Sequence, residues 1–196
     1  MKTKNLALIV ILGAVLILGG CACSGYNGIV SEDVKVNKTW SDVQAEYQKR
    51  NDLVGQLVET VKGAAKFEQS TYVAVTEARS KASSMNISAD SLTPEKLAQF
   101  QAAQSQVSGS LSRLLATVEN YPQLKATENF SKLQGQLEGI ENDVKNSRKI
   151  FNEAVQGYNL KVRSFPMNIF AGMFGFKQKE GFKAEAGAEK APEVKF

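Results

Sequence analysis

Apolar residues recur along most of this chain at alternating steps of three and four, the spacing of one helical face. One such run goes from Val36 through Trp40, Val43, Tyr47, Arg50, Val54, Leu57 and Val61 to Glu68, Thr71, Val75 and Met85. A second runs from Leu97 and Phe100 through Gln104, Val107, Leu111 and Leu114 to Tyr121. The third begins at Phe130 and passes Leu133, Leu137, Ile140, Val144, Ser147, Phe151, Val155, Tyr158 and Val162. No strand-like alternation of comparable length competes with them. The pattern predicts an all-α fold, an antiparallel bundle of helices about 55, 27 and 37 residues long, or roughly 80, 40 and 55 Å. The first is too long for either partner, so it folds back on itself or continues as a stalk, with Gly55 and Gly63 as its weak points.

Prolines bound these segments, because proline breaks a helix interior. Thr93-Pro94-Glu95 reads as a cap, a proline at the first helical position and an acid in the first turn. NISADSLT before it reads as a loop, and Thr127 as the cap of the third helix. After Pro166, a short helix over 168–175 brings Ile169, Phe170, Met173 and Phe174 together. The tail from about 183 is rich in Ala, Glu and Lys with little to bury, which predicts disorder.

Residues 6–23, LALIVILGAVLILGGCAC, differ from all of this in having no polar face. Their 18 residues span roughly 27 Å as a helix, enough to cross a bilayer. Lys2 and Lys4 put the N-terminus on the cytoplasmic side and the rest outside. The favoured reading is an uncleaved single-pass anchor at 6–23, with the bundle extracytoplasmic. The second is a lipoprotein: Leu18-Gly19-Gly20-Cys21 has the shape of a lipobox, with Cys21 as the lipidated residue. A cleaved secretory peptide is the third. Domain organisation follows as membrane segment 1–25, bundle 26–182 and tail 183–196.

Composition removes several kinds of chemistry. The chain has 196 residues and no His, so it holds no Ser-His-Asp triad, Cys-His pair or His-ligated metal. Its two Cys both fall in 6–23, leaving the bundle without disulfide or thiolate site. The net charge of +4 comes mostly from the ends, since residues 24–176 hold 17 basic and 16 acidic residues. No basic stripe suggests nucleic acid as a partner. No nucleophile–base arrangement, metal motif or cofactor motif is recognisable, and the expectation is a protein that is not an enzyme.

Taken in order, several blocks resemble the LemA family. They are Tyr26-Asn27, Trp40, Gln48 to Leu53, Leu57 to Gly63, Val75 to Arg79, Glu119 to Ala126, Arg148, Asn152, Tyr158-Asn159, Phe165-Pro166 and Gly175-Phe176. The resemblance covers 26–182 and implies a bacterial, membrane-anchored helical bundle with one transmembrane segment just before the Tyr-Asn pair. It implies no established catalytic activity. Family members commonly carry Ile-Pro-Asn where Val54-Gly55-Gln56 stands here, and Cys21 and Cys23 are not a general family feature.

The residues singled out are polar ones on or beside the seams: Arg50, Glu68, Glu119, Glu141, Arg148, Asn152 and Asn159. Buried charges without partners cost several kcal/mol, so these should pair. One reading is a network that fixes helix register; the other is a ligand pocket within the bundle. The Arg50 partner is expected from a later helix, Glu119 or Glu141, since Glu68 lies roughly 27 Å along the same one. Two functions follow. The chain is a membrane-tethered interaction or scaffold module facing another envelope protein, or it binds a small ligand and signals or transports it.

Overall fold

The computed structural model describes residues 2–63 and 68–183. Helix α1 runs unbroken from Lys2 to Lys62, 61 residues or about 92 Å. It is followed by α2 (Gln69–Ser83), a 3₁₀ turn at Ala89–Ser91, α3 (Pro94–Val118), α4 (Pro122–Lys125), α5 (Glu128–Arg163) and α6 (Met167–Met173). Among the described residues there is no strand. The predicted caps form: Thr93 Oγ1 accepts the amide of Lys96, and Thr127 Oγ1 that of Phe130.

The first helical run is not one helix. It stops at Lys62, and α2 returns antiparallel along α1, with Asn51 facing Ser83 and Trp40 facing Ile87. Helices of 25 and 36 residues give a continuous run no partner over its full length, so folding back is what buries Val75 and Ala82. The same chain also supplies a stalk, because α1 extends N-terminally well past the bundle. Side chains such as Leu8, Ile11, Val15 and Ile17 are exposed, and packing on the bundle begins near Gly25. The tail expected to be disordered falls mostly on 184–196, outside the described residues.

The bundle core has two parts. One, farther from the N-terminus, joins Val54, Leu57 and Val61 to Val107, Leu114, Phe130 and Leu137. The other is aromatic and lies nearer the N-terminal extension. In it Trp40 packs between Phe100, Phe151 and Phe182, at ring-centroid distances of 5.3, 5.4 and 6.1 Å. The indole of Trp40 donates to the Ile87 carbonyl at 2.7 Å, which satisfies its one polar atom in the core. Arg50 sits between Tyr47 of the aromatic part and Val54 of the aliphatic part.

A polar layer and a strapped helix as the candidate functional site

Arg50 is 3% exposed and cannot shed its charge, so its acceptors must come to it. They come from α3 and α5. Nη2 donates to the side chain of Gln104 at 2.6 Å and to its carbonyl at 3.1 Å. Nη1 donates to Ser108 Oγ at 3.2 Å and pairs with Glu141 at 3.3 Å. The guanidinium also lies 4.9 Å from the centre of the Tyr47 ring. One arginine of α1 thereby ties two other helices at one level and divides the apolar core in two. Glu141 is 45% exposed, so the pair opens to water on the α5 side. Burial pushes the Tyr47 phenol above its ordinary pKa, while Arg148, by charge and hydrogen bond, and Arg50 pull against that shift.

Asn51, on the next face of α1, is equally buried and donates to Ser83 Oγ at 3.2 Å. Its carbonyl accepts from Arg79 Nε of α2 at 2.7 Å. That contact needs Gly55, since a Cβ there would stand 2.8 Å from the Arg79 guanidinium carbon. The Val54-Gly55-Gln56 segment therefore continues the helix and admits α2 to its side. Asn51, Tyr47, Gln44, Asn86 and Gln104 line a cleft of about 370 Å³ between α1, α2 and α3. Within it the Asn51 side-chain carbonyl is buried and accepts no hydrogen bond.

Arg148, Asn152 and Asn159 do a different job. They hold the segment that follows α6. Asn159 exchanges two hydrogen bonds with the backbone of Lys179, at 2.8 and 2.9 Å. Asn152 does the same with Phe182, at 3.0 and 2.8 Å. Seven residues of helix advance about 10.5 Å, and three residues of extended chain about 10 Å, so the two asparagines match the strap in register. Arg148 closes the row, donating to the Lys183 carbonyl at 3.4 Å with its guanidinium 4.7 Å from the Phe182 ring centre. Lys179 pairs with Asp33 of α1, so the strap joins α5 to α1.

Two of the seven residues lie elsewhere. Glu68 is exposed at the start of α2, where its carboxylate accepts from Ser70 Oγ; the break after Lys62 carries it off the seam. Glu119 caps the C-terminal end of α3 and pairs with Lys125 in water. The Arg50 partner is Glu141. Sequence reading missed Asn51, Ser108 and Arg79. Ser108 was signalled by its place one turn after Gln104, whereas nothing in the helical period marks Asn51 or Arg79. Among the described residues no group of three or more Cys, Asp or Glu is placed to hold a metal.

An all-α bundle with a polar layer across its core, carried on one long apolar N-terminal helix, is the class of protein these features define. The sequence profile of the LemA family matches residues 39–196, and the chain belongs to that family. It is similar to Protein LemA of Metamycoplasma hominis, 24% identical over 145 residues, 74% of this chain and 63% of that protein. It is also similar to Magnetosome protein MamQ 2 of Paramagnetospirillum magneticum, 29% identical over 80 residues, and to Magnetosome protein MamQ of Magnetospirillum gryphiswaldense, 30% identical over 73 residues. Those matches cover 41% and 37% of this chain but only 29% and 27% of the magnetosome proteins.

Proposed function

We propose that this chain is a membrane-tethered scaffold of the bacterial envelope, with an anchor in residues 1–25 and an interaction bundle in 26–182. The observation that carries the reading is the continuity of α1 from Lys2 to Lys62. Its N-terminal part is long and apolar enough to cross a membrane, and in its most apolar 18-residue window only 7% is buried by the protein. No flexible joint separates that part from the core helix that carries Trp40 and Arg50. Such a molecule holds its bundle at a fixed height and orientation above a bilayer, which suits display to a neighbour better than capture of a solute. Between α2 and α3 lies an open groove of about 710 Å³, floored by Ala74, Ala78, Ala102 and Gly109 and rimmed by Glu77 and Arg113. Its small floor and charged rim suit an amphipathic helix of another envelope protein.

The test is photocrosslinking in living cells from Ala78 and Gly109, with Gln134 on α5 as the control. Adducts of one defined size at the groove positions, absent at Gln134, support the scaffold; the same adducts at all three positions reject it. Palmitate labelling examines the tether separately. Retention in the membrane without label supports the helix, and label lost in Cys21→Ser makes the anchor a lipid on Cys21.

A second reading, a small ligand held within the bundle with a signalling or transport role, rests on the cleft at Asn51. There the unsatisfied carbonyl offers a polar solute an acceptor, beside Gln44, whose amide already donates to the Ile87 carbonyl at 3.1 Å.

A further inference from the structure

Helix α6 is apolar on every side, with Asn168 its only polar side chain. Met167 and Ala171 are buried against the bundle, and Phe170 packs on the aromatic part of the core. Among the described residues nothing covers the opposite face. Ile169 is 57% exposed and Met173 77%, and the flanking Phe165 is 81% exposed. A helix bathed in water on that side would carry charge there.

The position of α6 says what covers it. Met167 lies directly on Gly25 of α1, where an added Cβ would stand 1.9 Å from its sulfur. Phe174 meets Tyr26 edge-on at 5.2 Å. The helix therefore sits at residues 25 and 26, about 3 Å of helical rise beyond the apolar run that ends at Cys23. Lys161, Arg163 and Lys177 stand exposed around the same end, and the sequence from Ala154 to Lys179 contains no acid. Tyr26 is placed where aromatic residues collect at membrane interfaces.

We propose that α6 is an interfacial foot: Phe165, Ile169 and Met173 insert into the surface of the same bilayer that α1 crosses, and the neighbouring basic residues meet lipid phosphates. This rests on the reading of α1 as a membrane anchor. Two elements distant in the chain then touch the membrane at the same end of the bundle, and the bundle is held at two points instead of one.

The experiment places a polarity-sensitive fluorophore on single cysteines of the full chain, reconstituted in vesicles of phosphatidylcholine and phosphatidylglycerol that carry headgroup nitroxides. Ile169→Cys and Met173→Cys are made in a background with Cys21→Ser and Cys23→Ser. Native Cys23, with Cys21→Ser, reports the anchor, and Gln134→Cys reports the far end of the bundle. Circular dichroism verifies that each labelled protein keeps its helix. The expected result is quenching at 169 and 173 as strong as at Cys23, with none at 134. Labels at 169 and 173 that behave like 134 while Cys23 is quenched overturn the foot and leave the anchor standing. An unquenched Cys23 overturns the anchor and the foot with it. Labels at 169 and 173 shielded from both lipid nitroxide and aqueous iodide mean that a protein covers the face, which also overturns the proposal.

Discussion

At the scale of single residues, Arg50 decides most. Its charge is permanent, its side chain is buried, and its acceptors lie on α3 and α5. Removing it strands Gln104 and unties two helices from the third. Arg50→Ala is expected to destabilise the fold by about 3 kcal/mol, the low end of the range for a broken buried pair, because the half-exposed Glu141 rehydrates. Arg50→Leu should cost less, since it joins the two apolar parts of the core, and Glu141→Gln about 1 kcal/mol or less. Urea unfolding of the full chain in detergent, followed by Trp40 fluorescence, measures all three. Tyr47 gives a second test. Burial raises its pKa, so the folded state favours the neutral phenol. That contribution is complete below the ordinary tyrosine value near 10 and is lost as pH rises through the raised folded value. Tyr158 shifts in the same direction through burial and the nearby Asp33. The urea midpoint should therefore fall above about pH 10, less steeply in Tyr47→Phe and least in the double variant with Tyr158→Phe. An identical alkaline slope in all three proteins would contradict this account.

Between single residues and the whole lies the strap over α5. It makes no ladder with a neighbouring strand. Two asparagine side chains provide the paired donor and acceptor that a strand partner otherwise would. Asn152→Ala and Asn159→Ala each remove two hydrogen bonds, a loss of about 1–3 kcal/mol. Hydrogen exchange should quicken at the amides of Lys179 and Phe182 and stay slow in the middle of α5. Global loosening with no preference for the strap would show that these asparagines serve α5 instead. The aromatic contacts of Phe182 with Trp40 and Phe151 explain why the strap matters to the core, since it delivers a ring that the helices alone do not supply.

For the whole molecule, the division at about residue 25 sets the behaviour. The exposed side chains of Leu8, Ile11, Val15 and Ile17 contribute nothing to the core, which closes around Ile29, Val36 and Trp40. A chain lacking residues 1–24 should stay helical and keep Trp40 buried, with a blue-shifted emission that moves red only on unfolding. It should also leave the membrane fraction unless the apolar face of α6 retains it, so fractionation in high salt and in dilute detergent is informative. Loss of cooperative unfolding in that chain would mean that α1 cannot be divided there.

The helical class, the caps at Thr93 and Thr127, the apolar N-terminal segment and the family resemblance were legible in the sequence. Each is written in local spacing: a period of three and four, a proline after a capping threonine, a run without charge. Arg50 stood out for the same reason, as a cation where the period calls for an apolar side chain. What the period cannot carry is partnership between distant segments. Glu68 lay on the seam until the chain turned back after Lys62, a turn imposed by the shorter lengths of α3 and α5. Glu119 and Glu141 looked equivalent by charge, and only the antiparallel register of α1 and α5 put Glu141 beside Arg50. The pairing of Asn152 and Asn159 with a strap 20 to 30 residues later in the chain follows from a match of helical rise to extended length. Which segments are helical and which faces seek burial depends on neighbours within a turn or two, so the order of residues alone specifies both. Which polar groups meet, and which apolar face of α6 stays bare among the described residues, depends on where each helix ends and on what lies across from it, and so emerges only when the helices pack.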